Sequence, residues 1–418
     1  MEDWSKHLQI ASISDVGMRR ATNQDSYEVS LAGDMQKWNA RGHLFLVADG
    51  MGAHAAGELA SKLAADGITH LYAKHQDLSP PEALKRAVED SNAEINRRGQ
   101  ANEEFKNMGT TCSALTLLPQ GAVVAHVGDS RVYRMRSNRL EQLTRDHSLV
   151  WEMREKGNFP EGSKSLQLIP KNVITRSLGP YPDVNVDLEG PHPIQVGDVF
   201  LLCSDGLSGE VEDDEMASLL SHLEPERAAR MLVDLANLRG GPDNITVIVI
   251  RVCDQTLATS ESGSPPLTVG GKKEDRAVGP IPYTLLTALV IAALLCMVMN
   301  NGWVAILLGL FAAGIAGYIT FKLSGAGSGE KVVGTGKRFG LGPYTRTQAV
   351  SGSNLLAKLD KIGTQLRNVA EEEDLPVDLG QFDNFFEKAK VAAAESNEAA
   401  AMNFFCSGLS NYMDQLRG

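Results

Sequence analysis

Aspartates in this chain recur where an apolar run meets a turn. Asp49 ends the run Phe45-Leu-Val-Ala and is followed by Gly50; Asp129 follows His126-Val-Gly; Asp205 follows Phe200-Leu-Leu-Cys-Ser and precedes Gly206. Asp243 lies just before the run Asn244-Ile-Thr-Val, and Asp25 closes the segment Gly17-Met-Arg-Arg-Ala-Thr-Asn-Gln. Strand ends are rigid, so they hold carboxylates at fixed positions. Several carboxylates brought together cannot all stay ionised unless cations neutralise them. Oxygen donors without clustered Cys or His select hard ions such as Mg²⁺ or Mn²⁺. Gly50 and Gly206 remove side chains where backbone must come close to an ion or ligand. One Asp-Gly pair is an ordinary turn; the signal is the repetition in a set order.

The elements that must carry these residues are short. His43–Ala48, Gly121–Val127, Asp198–Cys203 and Asn244–Val252 are apolar, β-rich and bounded by Gly, Asp or Pro, as strands are. Gly57–Lys74, Pro80–Arg98 and Glu226–Leu238 carry helical patterns. Strands cluster rather than alternate strictly with helices, which predicts an α+β fold over Leu8–Val252.

The remainder reads as a series of attachments. Residues 255–280 are rich in Ser, Gly, Thr, Pro and charge, a flexible linker. Two uncharged runs, Ile281–Met299 and Trp303–Phe321, flank Asn300-Asn301-Gly302. Each approaches the roughly 20 residues that span a bilayer, so 281–321 is expected to form a transmembrane helical hairpin in contact with lipid. Lys272, Lys273 and Arg276 precede it and Lys322, Lys331, Lys337 and Arg338 follow it. That pattern predicts a multi-pass protein of the inner membrane with both ends cytoplasmic. Residues 322–352 read as a Gly-rich basic tether. Residues 353–418 read as a helical cytoplasmic tail, in which Leu355, Leu356, Leu359, Ile362, Leu366 and Val369 form one stripe; a small bundle packing on itself is expected.

Bulk charge and cysteine usage exclude other classes. The net charge of -12 opposes general nucleic-acid binding. The five cysteines form no CxxC pair, which argues against a zinc site or a disulfide framework.

The motifs in order are Arg-x-x-Asn-Gln-Asp, Asp-Gly-Met-Gly-x-His-x-x-Gly-Glu, Gly-Thr-Thr, Gly-Asp-Ser-Arg, Asp-His-Ser, Cys-Ser-Asp-Gly and Asp-Asn-Ile-Thr. From about Ile10 to Val252 the chain thereby resembles the type 2C metal-dependent protein phosphatases in their bacterial form. The resemblance implies a four-layer α-β-β-α sandwich of two antiparallel sheets over residues 1–254. It implies hydrolysis of phosphoserine and phosphothreonine on proteins, opposite a Ser/Thr kinase, with two Mn²⁺ or Mg²⁺ ions and a weaker third. By motif, Asp25, Asp49, Asp205 and Asp243 match the metal-site aspartates and Gly50 the backbone ligand. Asp129 matches the residue that joins Asp205 at the third ion, and Arg20 matches the phosphate-binding arginine. A guanidinium can hold a phosphate with two parallel hydrogen bonds.

The sequence departs from the eukaryotic pattern at Met51, where a His is usual. His54, three residues on, is a candidate proton donor or a residue that shapes its loop. Ala53 replaces a usual Gly, Gln24 replaces a usual acidic residue, and His147 is read as structural. The segment between His147 and Asn172 corresponds to a flap beside the active site in the family. A scaffold that keeps the fold without activity is the alternative reading, and the survival of every metal-site aspartate argues against it.

Overall fold

The computed structural model describes residues 3–53, 55–155, 170, 173–259, 267–269, 280–299, 301–324, 331–333, 339–350 and 352–417. They fall into two compact units, Met1–Leu267 with Val333–Gly418, and Thr268–Val332.

The larger unit is built on two sheets in which every strand pair is antiparallel. One runs β2 (Asp25–Ser30), β3 (His43–Met51), β5 (Cys112–Leu118), β6 (Gly121–Val127), β9 (Asp187–His192), with β4 (Gly109–Thr110) on the end of β3. The other runs β1 (Leu8–Asp15), β11 (Ile245–Val252), β10 (Val199–Cys203), β7 (Arg131–Arg136), β8 (Arg139–Gln142), β14 (Thr345–Gln348). Two further short strands are β12 (Leu267–Val269) and β13 (Lys331–Val333).

The layers follow from a period of two along each strand. On β3, Phe45 and Val47 join Phe200, Leu202, Ile248 and Ile250 of the facing sheet in the central core. Their neighbours Leu44, Leu46 and Ala48 pack outward on α2 (Ala56–Lys74) and α3 (Pro80–Ala101). On the second sheet, Leu201, Cys203, Val247 and Val249 pack outward on α6 (Asp213–His222) and α7 (Pro225–Leu238). Because both faces are covered, these strands are apolar throughout rather than alternating, which is why they stand out in the sequence as continuous runs. The expected four-layer sandwich is thus present. Short helices α1 (Met35–Arg41), α4 (Leu149–Glu155) and α5 (Asp205–Ser208) complete it.

The C-terminal helices do not form a bundle apart. In α10 (Gly352–Glu372), α11 (Leu379–Ala394) and α12 (Glu398–Arg417), residues Leu355, Leu359, Phe382, Phe405 and Leu409 share one core with Met216, Leu232 and Leu235 of α6 and α7. Within the expected tether, β14 adds to the second sheet through Thr345–Gln348 on Arg139–Gln142.

In the smaller unit, α8 (Pro280–Val298) and α9 (Gly302–Ser324) pack on each other and leave Leu294, Leu295, Trp303, Leu310 and Phe311 exposed. Among the described residues no helix is long and apolar enough to cross a membrane. This corrects the expected transmembrane hairpin, and with it the inner-membrane location and the lipid partner.

Candidate active site

Pairing in the first sheet sets two of the predicted aspartates side by side: Asp25 on β2 is in register with Asp49 on β3. Asp49 is held at the backbone. Its N–H donates to Thr111 Oγ1 at 2.9 Å, and its carbonyl accepts from the Thr111 N–H at 2.8 Å and from Thr110 Oγ1 at 2.9 Å. Asp205 starts α5 where β10 ends, so it comes from the opposite sheet, and its side chain hydrogen-bonds that of Asp49. Ser204 reaches across the sandwich to donate to Asp25 Oδ2 at 2.7 Å, and itself accepts from the Thr246 N–H at 2.9 Å. Both sheets thus end at one carboxylate cluster.

Two glycines permit that approach. A Cβ on Gly50 would lie 2.1 Å from the Gly57 carbonyl oxygen and 2.5 Å from that of Gln24. A Cβ on Gly206 would lie 2.1 Å from the Asn244 carbonyl oxygen.

Asp243 and Arg20 sit on adjoining loops at the more open side of the cluster. Arg20 Nη2 donates to Asp243 Oδ2 at 2.8 Å, and both side chains are partly exposed. Asn244 fastens the two loops together. Its Nδ2 donates to the carbonyls of Val16 (2.9 Å) and Thr22 (3.0 Å), while Oδ1 accepts from the Gln24 N–H at 2.8 Å. Asn244 and Ser204 lie inside quoted motifs, but nothing in the sequence assigns these cross-sheet bonds.

Asp129 follows β6 and is buried. His147 fixes its approach: the Gly128 N–H donates to Nδ1 at 2.9 Å, so Nε2 carries the proton given to Asp187 Oδ2 at 3.0 Å. The structural reading of His147 fits this geometry. Arg131 forms a fork to Asp146, with Nε at 3.0 Å and Nη2 at 2.7 Å from Oδ2. Neither partner of that pair was singled out from sequence, although both lie within recognised motifs. His54 lies outside the described residues.

The electrostatics are those of like charges removed from water. Burial, and then the charges of Asp205 and Asp243, push the Asp25 carboxyl up to about 7 against hydrogen bonds from Ser204 and Thr246. Burial, then Asp205 and Asp146, push Asp129 up to about 8. Asp49 is raised by burial and by Asp25, Asp205, Asp129 and Asp243, and Asp205 by burial and Asp243.

The donor set fits hard divalent cations. Oδ1 of Asp25, of Asp129 and of Asp205 is buried without a hydrogen-bond partner, which a bound cation would relieve. The cluster is spread out. Among the described residues the only three carboxylates whose oxygens all lie within 4.8 Å are Glu212, Asp214 and Glu215. Lys358 Nζ stands 3.3–3.7 Å from each of those, so that trio is a salt-bridge network.

Carboxylates with orphaned oxygens and a guanidinium at one sandwich edge are a donor set suited to divalent cations and an anionic group. The chain belongs to the protein phosphatase 2C family. The family model for protein phosphatase 2C matches residues 18–160. A putative protein phosphatase 2C-type protein of Streptococcus pyogenes is 34% identical over 58% of this chain and 97% of its own length. The protein phosphatase PhpP of Streptococcus pneumoniae is 33% identical over 59% of this chain and 99% of its own. The crystal structure of the Mycobacterium tuberculosis serine/threonine phosphatase PstP superposes with a TM-score of 0.52 at 33% identity, covering 59% of this chain and all of that one.

Proposed function

We propose that this chain is a protein serine/threonine phosphatase that uses two Mn²⁺ or Mg²⁺ ions, acts on phosphoserine and phosphothreonine of proteins, and opposes a Ser/Thr kinase. The observation that carries this reading is the convergence from both sheets of buried Asp25 and Asp129 with half-buried Asp49 and Asp205, three of the four with an unsatisfied oxygen, beside Asp243 and Arg20. The relatives named as protein phosphatases support it over nearly their whole length. On this reading residues 1–254 are the catalytic part.

Asp25, Asp49, Asp205, Asp243 and the Gly50 carbonyl would hold the pair of cations, and Asp129 with Asp205 a weaker third. When bound, the cations supply hydroxide near neutral pH and offset charge on the phosphoryl oxygens. The chain's own residues do the positioning. Rigid strand ends fix the carboxylates. Asn244 and Ser204 lock the loops and sheets that carry them. Arg20, which pairs with Asp243 here, has the reach and the fork to grip a phosphate once Asp243 is neutralised by another cation.

The test is hydrolysis of a phosphothreonine peptide by the full chain. Turnover is expected with Mn²⁺ or Mg²⁺ and none in excess chelator. Full turnover in chelator would overturn the reading.

A further inference from the structure

Glu189 on β9 is a buried carboxylate, 2% exposed, which is costly unless its oxygens are satisfied. Its partners come from a distant stretch of chain. Gly342 N–H donates to Oε2 at 2.9 Å, Tyr344 OH donates to Oε1, and the backbone of Leu341 adds another hydrogen bond. The fit is close: a Cβ on Gly340 would lie 2.0 Å from Glu189 Oε2, and Gly340 has a φ of +67°. The same stretch is fixed on both sides. Gly190 and Phe339 form a bridge, Tyr344 N–H donates to the Gln142 carbonyl at 2.8 Å, and β14 continues along β8. Glu189 and residues 339–350 are built for each other. The curated relatives and the superposed structure described above align with only 58–59% of this chain.

The ring of Tyr344 has a second partner. It stands edge-on to Trp151 of α4, centroids 6.2 Å apart at 83°. Trp151 is tied in turn to Glu155 through Nε1 at 3.2 Å, and Glu155 pairs with Arg145. The excursion that contains α4 leaves and re-enters the fold beside Asp129. His147 N–H donates to the Gly128 carbonyl at 2.7 Å, Leu149 N–H to Val173, and Thr175 N–H back to His147. A phosphate alone is read by the carboxylate centre and Arg20. A phosphoprotein is far larger and must also meet the surfaces that flank that centre, and α4 is one of them.

We propose that Tyr344 is a positioning residue for substrate recognition: anchored by Glu189, it braces Trp151 and α4 beside the active site, so the C-terminal stretch 339–350 sets the affinity for phosphoprotein without touching the chemistry. The inference rests on the phosphatase reading above.

The experiment uses the full chain with saturating Mn²⁺ and two substrates, a phosphothreonine peptide and p-nitrophenyl phosphate. Tyr344→Ala is expected to raise KM for the peptide about five-fold or more. It should leave kcat and KM for the aryl phosphate within about two-fold. Trp151→Leu, which removes the other half of the contact from a partly exposed position, should give the same selective change and covers the case in which Tyr344→Ala folds poorly. The double variant should raise peptide KM no further than either single one, since both act through one contact. An unchanged peptide KM in both single variants, equal losses on the two substrates, or additive effects in the double variant would each overturn the proposal. A wild-type chain inactive on the aryl phosphate with Mn²⁺ would instead strike at the phosphatase reading itself.

Discussion

The carboxylate centre and the face that receives the C-terminal helices both bury acidic side chains, and they treat them in opposite ways. At the centre, Asp25, Asp49, Asp129 and Asp205 meet one another, and neighbouring aspartates raise the carboxyls of Asp25, Asp49 and Asp129. On the docking face, Asp234 is fully buried on α7 but receives Arg230 Nε at 3.0 Å and Ser410 Oγ at 2.6 Å. Glu215 on α6 receives both Nη atoms of Arg239 at 2.7 and 2.8 Å. A fold that can neutralise its buried carboxylates on one face, and leaves them in mutual repulsion on another, holds the second set for something that is to bind there.

The largest expected effect comes from relaxing that repulsion. Asp205→Asn keeps the shape and removes one charge. Activity on either substrate should fall by about 10³-fold, the scale of losing one preorganised electrostatic contact at a reacting centre. Thermal unfolding in chelator should move to higher temperature, because the remaining aspartates lose a like-charged neighbour. A variant that lost activity and also lost stability in chelator would break the comparison, since the centre would then be a structural element like the docking face.

The docking face is sharpened by changes of size rather than charge. Phe382 is 1% exposed, stacks on Phe386 at 4.3 Å and meets Tyr412 at 5.4 Å. Phe382→Ala should cost about 3–5 kcal/mol of stability, the range for truncating a buried aromatic residue. Gly363 on α10 is a subtler probe. Replacing a helix-interior glycine by alanine ordinarily stabilises by about 1 kcal/mol. Here the new Cβ would fall 1.8 Å from Phe386 Cε1, so Gly363→Ala should instead destabilise by about 1–3 kcal/mol through overpacking. Stabilisation by Gly363→Ala, read by denaturant unfolding of the full chain, would show that α10 does not dock on α11 as described.

The two regions also differ in how far they can be read from sequence. The centre was legible because strand-end aspartates and the glycines beside them recur in a fixed order, and β3, β6, β10 and β11 are apolar on both faces and stand out as runs. Strands such as β2 and β8 are partly polar and gave no such signal. The docking of α10–α12 was not legible. The stripe of Leu355, Leu359 and Ile362 says that a face is buried and is silent on what covers it, so packing against α6 and α7 could not be told from self-packing. The stretch 339–350 was read as part of a tether because Gly and basic residues are frequent over 322–352 as a whole. What orders it are long-range partners, Glu189 and the edge strand β8, which are brought to it only once the fold is assembled. The membrane reading failed for a related reason: absence of charge over a run marks burial or apolar exposure alike, and among the described residues no helix is long and apolar enough to cross a membrane.

The smallest expected effect is a slope with pH, and its sign separates the two regions. In the folded chain without cations, Asp25 titrates near 7 and Asp129 near 8, against an ordinary value of 3.8. Between those limits the folded state holds protons that the unfolded state has released. Stability contributed by these groups is therefore full at low pH and is lost as pH rises through 7 to 8. Glu215 behaves oppositely. Burial pushes it up, but the hydrogen bonds and charge of Arg239 outweigh burial and hold it below its ordinary value. Its contribution is lost only as pH falls below the carboxylate range, so it is constant from pH 5.5 to 8. Cations require the deprotonated carboxylates, so their stabilising effect must grow over the same window in which the metal-free protein weakens. Thermal unfolding of the full chain from pH 5.5 to 8, in chelator and in Mn²⁺, should show a gap in Tm that widens with pH. Asp129→Asn should narrow that widening, whereas Glu215→Gln should lower Tm at every pH without changing it. A gap that stayed constant with pH would mean that the aspartates are ionised without cations, and that the centre is no more strained than the docking face.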